Sequence, residues 1–228
     1  MSRNNSADPP EPIVCYVTDR RAMGANRSHD GLVERIGWTA QAGVHWVQIR
    51  EKDLPARDLL HLTLEALRVI ESAAAGTRVI VNDRLDVALA AKAAGVHLGR
   101  ESIPASQAIR WCRGGNAPAG FLIGVSCHGV DEAREAESAG ASYIFFGPVF
   151  DTPSKRSFGP PHGLGHLSEV CRRVRIPVIA IGGIAEDNVM ECVRAGVAGI
   201  AAIRLFQEAR GLANLRQAMM RIQRLSVK

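Results

Sequence analysis

The chain has no block of basic residues, no cysteines at metal-ligand spacing and no apolar run long enough to cross a bilayer. Each absence removes a class of function. With no basic block and no helix-turn-helix carrying a basic face, a formal net charge of +5 does not imply a nucleic-acid partner. The five cysteines, Cys15, Cys112, Cys127, Cys171 and Cys192, are odd in number and form neither CxxC nor Cys/His spacings. They read as reduced, mostly buried thiols, which points to a cytoplasmic protein. Residues 1–12 are polar and proline-rich and lack the apolar centre of a signal peptide, so a disordered tail is expected there. No membrane span is expected. A GxGxxG turn and a Walker sequence are both missing, which excludes the usual nucleotide phosphate loops.

What is present is alternation. The 228 residues, 46% of them apolar, suit one domain, residues 13–228, with a sizeable core. Short β-branched runs alternate with longer stretches rich in Ala, Leu, Glu and Arg. Strands are expected at Ile13–Thr18, Trp46–Ile49, Arg78–Val81, Gly95–Leu98, Leu122–Ser126, Tyr143–Phe146, Val178–Ile181 and Gly199–Ile203. Helices are expected at Gly31–Ala42, Ala56–Ala74, Leu85–Ala94, Pro104–Trp111, Val130–Ser138, Leu164–Val174, Asp187–Ala195 and Leu212–Leu225. Repeated β-α units imply parallel strands joined by right-handed crossovers. Strands apolar on both faces are buried on both faces. Eight units at this length favour a closed (β/α)8 TIM barrel over the alternative, an open doubly wound sheet. Four Ala-Gly pairs, ending in Gly43, Gly95, Gly140 and Gly196, read as helix C-caps. The stretch Gly147–Gly163 is long and rich in Gly, Pro and Ser, which marks a functional loop.

In such a barrel the chemistry sits where strands end. After the second strand, Arg50 and Lys52 suit an anionic substrate, or belong to a salt-bridged loop. After the third, Asn82 and Asp83 offer hard oxygens for Mg²⁺, or Asp83 caps the next helix. His97, inside the fourth strand, reads as a barrel-interior residue; Glu101 and Ser102 lie beyond it on the rim. After the fifth come Ser126, Cys127 and His128. Cys127 and His128 point to opposite faces and cannot act as a nucleophile–base pair. His128 is the candidate general acid or base. Thr152, Ser154 and Lys155 resemble a phosphate clamp after the sixth strand. Gly182-Gly183 after the seventh, and Ile203-Arg204 after the eighth, occupy this fold's habitual phosphate position.

Taken together, Gln48-Ile49-Arg50-Glu51-Lys52, Asn82-Asp83-Arg84, Gly95 to Gly99, Gly147-Pro148-Val149-Phe150 with Thr152 to Lys155, and Ile181 to Ile184 resemble the thiamine phosphate synthase/TenI family over nearly the whole chain. The resemblance implies an enzyme joining a pyrimidine methyl diphosphate to a thiazole phosphate, releasing pyrophosphate, with Mg²⁺. It implies diphosphate contacts from Arg50, Lys52, Asn82 and Lys155, a Mg²⁺ ligand in Asp83, and thiazole phosphate contacts from Thr152, Ser154 and Gly183. Ser126 and Ile203 join the substrate-binding set, and Arg50, His128 and Lys155 the catalytic one. Two positions depart from the pattern. Ser102 stands where the synthases carry a second Mg²⁺-binding Asp, leaving Glu101 as the acidic neighbour. Arg204 stands where they carry Ser. The rival within the family is the TenI-like thiazole tautomerase, which needs no Mg²⁺ and uses a histidine at the position of His128. A non-catalytic phosphate-binding regulatory barrel is a third reading. A Schiff-base aldolase is disfavoured because no expected strand carries a lysine near its end. The partners expected are phosphorylated small molecules, with a homo-oligomer compatible.

Overall fold

The computed structural model describes residues 11–24, 28–152 and 160–225. The expected tail, residues 1–12, falls outside this set except for Glu11 and Pro12. Eight parallel strands close a barrel in sequence order: β1 (Ile13–Val17), β2 (Trp46–Ile49), β3 (Arg78–Asn82), β4 (Gly95–Leu98), β5 (Leu122–Cys127), β6 (Tyr143–Phe146), β7 (Val178–Ile181) and β8 (Gly199–Ala202). The β1–β8 pairing, Ile13 with Gly199 through Tyr16 with Ala202, makes the closure. The closed barrel excludes the open-sheet alternative. Around it run α1 (His29–Gln41), α2 (Ala56–Ser72), α3 (Leu85–Ala90), α4 (Ala105–Trp111), α5 (Val130–Ala139), α6 (Gly163–Arg173), α7 (Val189–Arg194), α8 (Arg204–Gln207) and α9 (Leu212–Leu225).

Strand alternation sorts the side chains into two apolar regions. Val14, Val47, Ile49, Val81, Val96, Leu98, Ile144 and Phe146 face outward and bury against the helices. Each such aliphatic burial stabilises by about 1.5–3 kcal/mol. The opposite phase fills the barrel interior: Cys15, Val17, Trp46, Tyr143, Phe145, Ile179 and Ala201. Trp46 and Tyr143 meet at 4.7 Å between ring centroids. Tyr143 fits because residue 124 is glycine. A Cβ there would lie 2.1 Å from the tyrosine ring, so Gly124 and the interior plug are one device.

Several local expectations need correction. Gly43, Gly140 and Gly196 do cap helices, at φ between +91° and +96°. Gly95 does not; it begins β4, where a Cβ would strike the Leu122 carbonyl at 2.3 Å. The turn out of α3 is made instead by Lys92 at φ +55°, which stops the helix at Ala90 rather than Ala94. α7 starts at Val189 rather than Asp187, because Asn188 folds the preceding loop: its Oδ1 accepts from the Ala185 N–H and its Nδ2 donates to the Gly183 carbonyl. α8 was not expected, since four residues are too few to show a period. Among the described residues no helix is long and apolar enough to cross a membrane.

Candidate active site

The loop after β2 shows how phase sorts charge. Gln48, Arg50 and Lys52 share one phase and line a cavity of about 350 Å³ at the C-terminal mouth of the barrel. Glu51 and Asp53 take the other phase and are tied to Arg20. The Arg20 N–H donates to both oxygens of Glu51 at 3.1 Å, its Nη1 donates to Glu51 at 3.1 Å, and its guanidinium forks onto Asp53 at 2.7 and 2.5 Å. The hydrogen bonds from Arg20 hold the Asp53 carboxyl at about 2, well below the usual range. The salt-bridged reading of this loop therefore holds for its acids. The acids are salt-bridged, and Arg50 and Lys52 are left with no ion pair among the described residues. The Arg50 N–H donates to Thr18 Oγ1 at 2.9 Å, which ties the loop's first residue to the end of β1.

Below the mouth lies a polar layer. Gln48 Nε2 donates to Asn82 Oδ1 at 2.8 Å. Gln48 Oε1 is buried and has no hydrogen-bond partner. An orphaned acceptor in a buried site is costly unless a ligand supplies a donor. His97 contacts Ser126 Oγ at 2.9 Å and Tyr143 OH at 3.3 Å, with its ring 4.2 Å from Phe145. Burial, assisted by the charge of Arg50, pulls its pKa from 6.5 down to about 3. Burial thus favours the neutral imidazole of His97, which is a barrel-interior residue, as its place inside the strand suggested, and lines the cavity.

The far side of the mouth is made largely of backbone. Val149 N–H donates to the Ile181 carbonyl and Phe150 N–H to the Gly182 carbonyl, both at 3.0 Å, lacing the loop after β6 to the loop after β7. Gly182 and Gly183 have φ of +95° and +70°. A Cβ on Gly183 would lie 2.7 Å from the Asp151 carbonyl oxygen. Thr152 is buried here at 9% exposure. Arg204, exposed, opens α8 directly after Ile203 and has no ion pair among the described residues.

His128 stands on the rim with Nδ1 2.6 Å from the Gly147 carbonyl oxygen. A carbonyl only accepts, so Nδ1 carries the proton and Nε2 of the neutral ring is the basic nitrogen. The ring of His162 lies 5.9 Å away. Burial and the nearby His128 lower the His162 pKa. Cys127 points the other way into the helix-facing core, and burial pushes its thiol up to about 12. Burial therefore disfavours the thiolate, in agreement with the strand phase.

The cavity brings together Arg50, Lys52, Asn82, Ser126, His128, Thr152, Gly183, Ile203 and Arg204. It does not include Asp83 or Glu101. Both are exposed on the rim, and Asp83 has φ +68° with its N–H donating to the His97 carbonyl at 2.8 Å. Asp83 does not cap α3: Arg84 holds the cap position, with no side-chain bond. Ser102 Oγ accepts from the Gly99 N–H at 2.8 Å, shaping its own loop. Ser154 and Lys155 lie outside the described residues. The cavity also holds Asp19, Gln48 and Phe145, which sequence reasoning had not put in the site. Strand phase was the available signal: Asp19 follows Val17 by two, and Gln48 precedes Arg50 by two.

With this geometry in hand, comparison with known proteins is informative. Residues 14–206 match the family described as thiamine monophosphate synthase. The thiamine-phosphate synthase of a Roseiflexus species is 42% identical over 191 residues, covering 84% of this chain and 76% of the relative. That of Methanoculleus marisnigri is 43% identical over 188 residues, covering 82% and 84%. The solved thiamine phosphate pyrophosphorylase from Pyrococcus furiosus superposes with a TM-score of 0.77 at 32% identity, covering 93% and 94%. A 3-hexulose-6-phosphate synthase at 14% identity and TM-score 0.65 shares the fold alone.

Proposed function

This chain belongs to the thiamine monophosphate synthase family, and from that premise we propose that it couples hydroxymethylpyrimidine diphosphate to thiazole phosphate. The bond from the pyrimidine methylene carbon to the diphosphate oxygen breaks, and the thiazole nitrogen bonds to that carbon. The products are thiamine phosphate and pyrophosphate. The observation that carries this reading is that one cavity gathers side chains suited to anions from two groups of loops: Arg50, Lys52 and Asn82 after β2 and β3, and Thr152, Gly183 and Arg204 after β6, β7 and β8. A regulatory barrel needs only one.

The leaving group departs as a polyanion, so cations that meet it must act on charge developing there. Arg50 and Lys52 suit that role, being free of ion pairs among the described residues, and Lys155 joins them in this proposal. The unsatisfied Oε1 of Gln48 suits an amino group on the pyrimidine, which fixes the ring's orientation. On the thiazole side, Thr152, Ser154, Gly183, Ile203 and Arg204 hold the phosphate, and Ser126 lines the space between.

The rim chemistry fits Mg²⁺. Asp83 offers an exposed carboxylate with no ion pair among the described residues, because its neighbour Arg84 is engaged with Asp86. Mg²⁺ is commonly held by one or two carboxylates, with waters and substrate phosphates completing the shell. Asp83, with Glu101 on the adjacent loop, would hold the ion, which supplies charge neutralisation on the diphosphate when bound. His128 is the proton-handling group, through Nε2.

The test is pyrophosphate release from the two substrates, with and without Mg²⁺. Mg²⁺-dependent release is expected, and Asp83→Ala should remove the Mg²⁺ response. A folded protein that binds thiazole phosphate yet releases no pyrophosphate overturns the proposal. Tautomerisation of the thiazole carboxylate phosphate would then be the activity to measure, with His128→Ala as its control.

A further inference from the structure

On the exposed side of the α1–α2 pair, outside the lining of the barrel-mouth cavity, three side chains converge on one point. His29 is the first residue of α1, and its Nε2 is hydrogen-bonded to Glu65 Oε2. His61 and Glu65 are one turn apart on α2, and His61 Nδ1 lies 3.5 Å from the same Glu65 oxygen. One donor atom from each of the three lies within 4.8 Å of the other two. The two imidazole rings are 5.7 Å apart between centroids.

We propose that His29, His61 and Glu65 form a binding site for a divalent transition ion of the zinc type, one that clamps the start of α1 to α2. Two imidazole nitrogens and one carboxylate oxygen are a common three-ligand set for Zn²⁺, with the fourth position left for water or another ligand. Two nitrogen donors select such ions over Mg²⁺ and Ca²⁺, which take oxygen. Bonds of about 2.0–2.2 Å to a tetrahedral ion put the donor atoms about 3.3–3.6 Å apart. The His61–Glu65 separation already matches, and the rest needs only side-chain rotation. That rotation is open to them: the two imidazoles are 41% and 65% exposed and Glu65 is 30% exposed. The helix spacing holds two of the ligands on one face without cost, since residues i and i+4 are neighbours. A surface hollow of about 550 Å³ adjoins the cluster, with Arg57 and Asp58 on its wall, and leaves room for the fourth ligand. The site shares no residue with the lining of the barrel-mouth cavity or with Asp83 and Glu101.

The experiment uses tag-free protein stripped with a chelator and titrated with Zn²⁺ by calorimetry. Co²⁺ serves as a spectroscopic probe of tetrahedral coordination. One Zn²⁺ per chain is expected, with binding unaffected by millimolar Mg²⁺ and a Zn²⁺-dependent rise in thermal midpoint. His29→Ala and His61→Gln should each weaken binding by at least ~10-fold, since losing a second-layer partner alone already has that effect. His166→Gln, an exposed histidine on α6, should bind as the parent does. The apo forms of all three variants should melt with the parent, because the side chains are exposed. Absence of Zn²⁺ binding by the folded parent overturns the proposal, and so does binding that survives either substitution in the cluster.

Discussion

The two sides of the cavity mouth are built by opposite means. After β2 and β3 the site is made of side chains: Arg50, Lys52 and Asn82 project from strand ends whose intervening acids are tied up elsewhere by Arg20. After β6 and β7 it is made by leaving side chains out: Gly147, Gly182 and Gly183 let two loops lie against each other. The first side is a matter of charge and should tolerate change without loss of fold. The second is a matter of shape and should not. Substitutions on each side should therefore fail in different ways.

The largest effect is expected from Arg50→Ala. Coupling should fall by about 10²–10³-fold in kcat, in the range for losing one donor to developing negative charge. The thermal midpoint should stay near the parent's, and a drop of many degrees would mean that Arg50 holds the fold. Gly183→Ala comes next, with a loss of about 10²-fold in kcat/KM from misplacing the loops. Here stability should fall too, by roughly 1–3 kcal/mol, since φ +70° is strained for alanine and the new Cβ meets Asp151. Loss of activity with unchanged urea stability would show that the glycine side is not about shape.

Beneath both sides lies His97, and it offers a test by pH. Burial holds its folded pKa near 3 against the usual 6.5, so the unfolded chain binds the extra proton between those values. Its stabilising contribution is complete above about pH 6.5 and is lost as pH falls toward 3, at up to about 1.4 kcal/mol per pH unit. Urea midpoints at several pH values should show that component in the parent and not in His97→Gln. Equal slopes would mean the histidine is not held neutral. The smallest effect belongs to Arg204→Ser. An exposed cation contributes ~1 kcal/mol or less, so KM for thiazole phosphate should rise about 2- to 5-fold. An unchanged KM would place its guanidinium away from the phosphate.

The barrel was legible because the strands are short and mostly apolar and alternate with amphipathic runs. The side-chain half of the site was legible for the same reason: its residues stand at strand ends. Less of the rest could be read. The pairing of Arg20 with Glu51 joins residues 31 apart in sequence, and no local pattern announces it. Gly95 and Gly124 look like any other glycine until the neighbouring strand is in place. Asp83 could be read as a metal ligand or as a helix cap, and its left-handed backbone, which carries the chain past the cap position, removes the second.

The aromatic plug of Trp46 and Tyr143 fills the barrel beneath the mouth and gives the chamber a floor. Were the two substrates to sit one above the other on that floor, the lower would have to enter first and its product leave last, and product-inhibition patterns would reveal that order.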